Sequence, residues 1–302
     1  MASHQQAETY RNGSVSVYFG AKNGKYPDGN QVIVQGGERR AVFDSPLVAN
    51  TIGAEFDNAD LVIQGHIHED HTAGLHRLPE VPVYVHEGDI AAIQSWDGLM
   101  QAYGLEGETA VEMRAEVQRD YQMVMRPDAI SYQDGHRWDL GGGVSVTAIH
   151  APGHTSGHCV LLVEPEGVAF IGDIDLTGFG PYYADACSSL TEFRQTLAKL
   201  PDIPAKAWVT SHHRGLYTDK AEFLAAVASF SAKIDERERR ILDLLEESPK
   251  TLDQLVDIRL LYPADYETIW LEPAERRTIS RHLEEMLADG TVVDEGGVFA
   301  PA

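Results

Sequence analysis

The chain opens with short runs in which apolar and polar residues alternate: Ser14-Val15-Ser16-Val17-Tyr18-Phe19, Gln31-Val32-Ile33-Val34 and Arg40-Ala41-Val42-Phe43, separated by Gly, Asn and Asp. Alternation bounded by turn residues predicts a meander of half-buried strands. Apolar runs at Asp60 to Ile63, Val81 to Val85, Val144 to Ile149 and Val168 to Ile171 follow, and Ala205 to Thr210 makes a fifth. Most of them stop at a polar cluster, and loops at strand ends are where function concentrates. Between Glu87 and Tyr132 the spacing lengthens, with Ile90, Ile93, Trp96, Met100, Val111, Val117 and Met123 placed as on helix faces. That stretch is expected to cover one edge of the site.

From about Ile234 the pattern is charged and helical, over Ile234 to Glu247, Thr251 to Ile258 and Pro273 to Ala288. Gly290 and the pair Thr291-Val292-Val293 and Val298-Phe299 then read as a hairpin. Three helices and a hairpin outline a winged helix. The expected fold class is therefore α/β, with helices packed outside paired sheets in a domain at 1–230 that carries the helical insertion at 87–132. A small winged-helix-like domain is expected at 231–302.

Charge narrows the partners. The formal charge is -23, from 47 acidic residues against 24 Lys and Arg. Such a surface repels phosphate backbones unless basic residues gather locally, so nucleic acid is a disfavoured partner and a small-molecule substrate is expected. The acidic tail lacks the footprint of a DNA reader, and packing or homodimer formation is the expected role for it. Cys159 and Cys187 form neither a CxxC motif nor a disulfide framework, the amino-terminal stretch is polar, and no apolar run reaches spanning length. These features lead to the expectation of a cytoplasmic protein without a membrane anchor.

The densest chemistry is Gln64-Gly65-His66-Ile67-His68-Glu69-Asp70-His71, three imidazoles and the Asp70 carboxylate, with Glu69 beside it, within six residues directly after an apolar strand. A divalent metal compensates the desolvation of clustered neutral imidazoles, whereas an apolar core offers them no comparable partner. The HxHxDH pattern resembles the signature of the metallo-β-lactamase superfamily, and the resemblance extends over most of residues 14 to 215. It implies a four-layer αββα sandwich. It also implies that His66 and His68 hold one metal while Asp70 and His71 hold a second.

Further ligands are implied in order. Pro152-Gly153-His154-Thr155 resembles the PGHT segment and nominates His154 for the first site; Gly172-Asp173 nominates Asp173 as the bridging carboxylate. The last ligand is a histidine after the final strand, where Ser211-His212-His213 offers two, with His212 preferred and His213 the alternative. His86, His136, His150 and His158 match no ligand position. Tyr182 and Tyr183 are candidate hydroxyl donors, with apolar cover next to Pro181 the competing reading. Trp96, Met100, Tyr103 and Met113 are candidates for the pocket lining or, at their helical spacing, for the core.

The resemblance implies a binuclear metallo-hydrolase holding two divalent ions, with zinc the default and iron or manganese compatible with the same His and Asp donors. Paired ions ionise a shared water, and Asp70 is placed to orient it and carry its proton. Cleavage of a carbonyl ester, thioester or lactone, as in the glyoxalase II-like and lactonase-like branches, is the leading expectation. A metal-dependent ribonuclease or phosphodiesterase, similar to β-lactamase-like proteins with a comparable tail, and a mono-iron persulfide dioxygenase-like enzyme are the alternatives.

Overall fold

The computed structural model describes residues 8–213 and 215–302. Arg214 and the first seven residues of the polar amino-terminal stretch lie outside the described residues.

Seven strands form the first sheet: β1 Glu8–Asn12, β2 Val15–Tyr18, β3 Gln31–Gln35, β4 Arg40–Phe43, β5 Leu61–Ile63, β6 Val83–His86 and β7 Ile130–Tyr132, ordered as they occur in the chain. The first four are antiparallel neighbours, β2 to β4 being the predicted meander and β1 a strand not expected from the sequence, and β4 to β7 run parallel. Five strands form the second sheet: β8 Arg137–Gly141, β9 Val144–His150, β10 Cys159–Glu164, β11 Val168–Phe170 and β12 Ala207–Val209, in the order β12-β11-β10-β9-β8. Only β11 and β12 are parallel in that sheet.

The apolar faces dictate how these elements stack. Val17, Val32, Val34 and Phe43 of the first sheet meet Val146, Leu161, Val163 and Phe170 of the second in one buried cluster, so the sheets pack face to face. Helices α1 Ile90–Gln94, α2 Trp96–Tyr103 and α3 Gly107–Asp120 cover the outer face of the first sheet through Ile93, Leu99 and Val117. On the far side, α4 Leu190–Lys199 and α5 Lys220–Glu247 close over the second sheet through Phe193, Leu197, Phe223 and Phe230. The result is the expected order of helices, sheet, sheet and helices. Residues 87–132 thus supply most of one helical layer, which the short helix Ala54–Asp57 joins through Phe56.

Helix α5 starts where the Asp219 side chain accepts from the Glu222 N–H and runs without a break through residue 230. Its second half packs Ile241 and Leu245 against α6 Leu252–Ile258 and α7 Leu271–Ala288, beside a three-stranded sheet of β13 Lys250–Thr251, β14 Val292–Asp294 and β15 Val298–Pro301. No helix of the described residues is long and apolar enough to cross a membrane.

A buried pair fastens this tail to the main body: the Tyr183 hydroxyl lies 2.8 Å from His282 Nε2. Burial pushes the His282 pKa down to about 3, so the ring is neutral and accepts from Tyr183. In the unfolded chain the same ring titrates near 6.5, so the contribution of His282 is complete above that pH and is lost as pH falls toward 3. Substituting His282→Gln keeps an acceptor and removes the titration. Urea unfolding between pH 6 and 4.5 is expected to show a slope shallower than that of the parent chain by about 1.4 kcal/mol per pH unit.

Candidate metal centre

The candidate ligands lie just beyond strand ends: His66 follows β5, His154 follows β9, Asp173 follows β11 and His212 follows β12. Because the two sheets pack face to face, these loops converge at one rim. All seven nominated side chains come together there. His66, His68, His154 and Asp173 offer ligand atoms within 4.8 Å of one another, as do Asp70, His71 and His212. Asp173 joins the two sets: its Oδ2 is 3.3 Å from His154 Nε2 and 3.8 Å from His66 Nε2, while its Oδ1 is 3.0 Å from His71 Nε2 and 3.5 Å from His212 Nε2. Asp70 Oδ2 stands 3.0 Å from His212 Nε2 and 3.6 Å from His71 Nε2. His213 belongs to neither set; it lies half-buried on the wall of the adjoining cavity.

Which ring nitrogen faces inward is decided by what holds the other one. His68 donates from Nε2 to Asp185 at 2.8 Å, leaving Nδ1 free. His71 donates from Nδ1 to Asp44 at 2.8 Å, His154 from Nδ1 to the Tyr182 carbonyl at 2.9 Å, and His212 from Nδ1 to the Asp28 carbonyl at 2.8 Å, so each turns Nε2 inward. The free nitrogens of His68 and His154 face each other at 3.0 Å. Such a contact needs either a proton on one of the rings or a metal cation beside both. Neither nitrogen of buried His66 has a hydrogen-bond partner, nor do His71 Nε2 and Asp173 Oδ1. Unsatisfied buried groups of this kind are costly unless a ligand serves them, and this donor set suits divalent ions.

Without a metal, protons supply part of that positive charge: against the effect of burial, nearby carboxylates raise His71 and His212 well above the usual imidazole range. Burial, aided by nearby His71, holds the His66 pKa well below the usual imidazole range. Burial opposes the charge of His68 as well, but the hydrogen bond and charge of Asp185 outweigh it and bring the pKa to about 9. For Asp173 burial favours the neutral acid, yet His71, His212 and His66 together hold it well below the carboxylate range. The site is a concentration of anionic oxygen and imidazole nitrogen.

Local sequence explains the placement. Gly172 has φ +57, and a Cβ there would come within 2.3 Å of His158 Nε2, the atom that accepts the Asp173 N–H at 3.2 Å. Glycine is required for Asp173 to reach the centre, and His158, read as matching no ligand position, holds it from behind. Sequence reasoning also missed Asp44 and Asp185. Asp44 follows β4 directly, the strand-end signal that picked out the histidines, whereas Asp185 sits in an irregular segment with no such signal.

A cavity of about 810 Å³ opens from the centre. Tyr103, Met113 and Tyr182 line it, whereas Trp96 and Met100 belong to the core and Tyr183 is buried against His282. The opposite wall comes from the tail, through Leu261, Tyr262, Tyr266 and Trp270. The tail therefore has a surface at the site, beyond the packing or dimer role expected for it.

The family profile described as the metallo-beta-lactamase superfamily matches residues 28–228. A beta-lactamase-like protein 2 homolog from Drosophila melanogaster is 27% identical over 149 residues, which are 49% of this chain and 47% of that protein. The chain thus matches about half the length of that relative. An atrochrysone carboxyl ACP thioesterase from Pseudocercospora fijiensis is 25% identical over 266 residues, 85% of this chain and 68% of that one. Among solved structures, a metallo-beta-lactamase family protein from Thermus thermophilus superposes with a TM-score of 0.69 at 23% identity, covering 91% of this chain and 94% of the other.

Proposed function

Since the chain belongs to the metallo-β-lactamase superfamily, we propose that it is a metal-binding hydrolase that cleaves a carbonyl substrate, a thioester ahead of an oxyester or lactone, at a two-metal centre. In this reading His66, His68 and His154 would hold one ion, Asp70, His71 and His212 would hold the other, and Asp173 would serve both. The inward-facing, unpartnered ring nitrogens carry the metal assignment. Zinc is the metal we assign to these nitrogen and oxygen donors.

The ions supply, when bound, an ionised water and polarisation of the scissile carbonyl. Asp70 lines the cavity beside His212 and is the acceptor for the proton lost from the nucleophile. Asp185 and Asp44 fix the tautomers of His68 and His71. Tyr182 also lines the cavity; burial and the charge of Asp185 keep its phenol protonated, so it serves as a donor to the developing oxyanion.

Two observations support the thioester. The cavity walls away from the centre are largely aromatic and aliphatic, suited to an acyl chain, and the similarity to the fungal thioesterase runs over 85% of this chain. Glu69, Asp70, Asp173, Asp175 and Asp185 line the same cavity, which disfavours a polyanion. Initial rates of zinc-loaded protein on an acyl thioester, an aryl ester, a lactone, a phosphodiester and single-stranded RNA test the reading. Thioester turnover at least about tenfold above the other substrates is expected, a margin of about 1.4 kcal/mol in the barrier. Turnover of RNA or phosphodiester alone would overturn it, and oxidation of a persulfide by iron-loaded protein with all five substrates untouched would move the assignment to a dioxygenase.

A further inference from the structure

Two of the groups that orient metal-facing histidines come from the irregular segment 176–188 between β11 and α4: the Tyr182 carbonyl for His154 and the Asp185 carboxylate for His68. A segment without regular structure must satisfy its buried carbonyls one at a time. Three arginines of the tail do so. Arg237 of α5 donates to the carbonyls of Phe179, at 2.7 Å, and Pro181. Arg277 of α7 donates to the carbonyl of Ala184 at 3.1 Å and to that of Gly104. Arg281, one turn further on, spans the carbonyls of Tyr183 and Asp185.

The carbonyls of residues 181, 183, 184 and 185 thus go to arginines, and the one at 182 goes to His154. Arg237 also lies over the rings of Tyr183 and Phe179, at 5.3 and 5.5 Å from their centroids. The second cluster is held differently. Asp44, Gly24 and Asp28, which orient His71 and His212, all lie in the amino-terminal part of the chain.

From this asymmetry we infer that Arg277 and Arg281 are positioning residues for one metal position only, the one formed by His66, His68 and His154, and that the tail is part of that metal site. The inference rests on the two-site reading proposed above. A planar fork that bridges two carbonyls is not reproduced by an ammonium group, so lysine is no substitute at 281.

Titration of the metal-free full-length chain with cobalt(II), followed by visible absorption and chelator competition, separates the two positions. The parent chain is expected to take up two equivalents. In Arg281→Met and Arg277→Met one equivalent should bind about 10–100-fold more weakly and the other as before, the loss typical of removing a group that supports a ligand. Asp185→Asn should weaken the same equivalent, and the double variant Arg281→Met/Asp185→Asn should be no weaker than the worse single one, because both act through one imidazole. Arg276→Met, on the same helix but paired with Glu272 and Asp253, should keep both equivalents at parent affinity. If Arg281→Met does not fold, Arg281→Lys is read in its place. Arginine variants that keep both equivalents at parent affinity, or lose both alike, while Asp185→Asn loses one would overturn the inference and leave the two-site reading standing. A parent chain that binds fewer than two equivalents would overturn that reading and the inference with it.

Discussion

Replacing Asp173 by Asn is expected to lower hydrolysis by about 1000-fold and to weaken both metal positions together, because several kcal/mol of charge stabilisation is lost at 1.36 kcal/mol per decade of rate. Asp173 reaches both clusters with separate oxygens, Oδ2 toward His154 and Oδ1 toward His71. An amide keeps one acceptor and turns an NH2 toward nitrogens that already face inward. Bound metal stabilises the folded chain by mass action, so the rise in Tm on adding zinc should disappear as well. Thermal unfolding with and without zinc, together with thioester rates, checks both effects. A variant that retains its metal-induced rise in Tm and stays within tenfold of the parent rate would show that Asp173 does not bridge.

Asp70→Asn tests a residue that is both proton acceptor and ligand of the second position in the proposed reading. Asp70 Oδ2 lies 3.0 Å from His212 Nε2 and 3.6 Å from His71 Nε2 in the second cluster, and the first cluster is complete without it. Loss of a proton acceptor costs about 10²–10⁴-fold in rate. The expected result is a fall in kcat of that size, with the equivalent held by His66, His68 and His154 unchanged by cobalt spectroscopy. Loss of both equivalents, or an unchanged kcat, would remove Asp70 from its assigned role.

Much of this was legible because strand ends have a strong signature. A buried run such as Leu61–Ile63 that stops at Gly65-His66 shows both the strand and the polar group it delivers, and Asp173 and His212, which the family resemblance nominated, also stand just past strand ends. Strand β10 escaped that reading. It begins at Cys159, directly after His158, and its apolar residues Cys159 to Val163 are not among the runs read as strands from the sequence.

The supporting groups were less visible for a different reason. Asp185 acts 117 residues away from His68, and Arg281 acts through backbone carbonyls that any residue type would supply. Such contacts leave no local pattern, since the partner is chosen by the packing of α7 across a segment with no periodicity. The cavity wall at Tyr262, Tyr266 and Trp270 is hidden likewise. These aromatics read as part of a charged helical tail, and only the fold turns them toward the centre.

Thioester hydrolysis and metal content should be measured on one preparation as isolated, after chelation, and during stepwise return of zinc. Full rate with two ions per chain, loss of hydrolysis on stripping, and recovery that tracks the bound metal are the expected results. A stripped chain that hydrolyses thioester at the original rate, or recovery complete at a single ion per chain, would contradict the two-metal hydrolase.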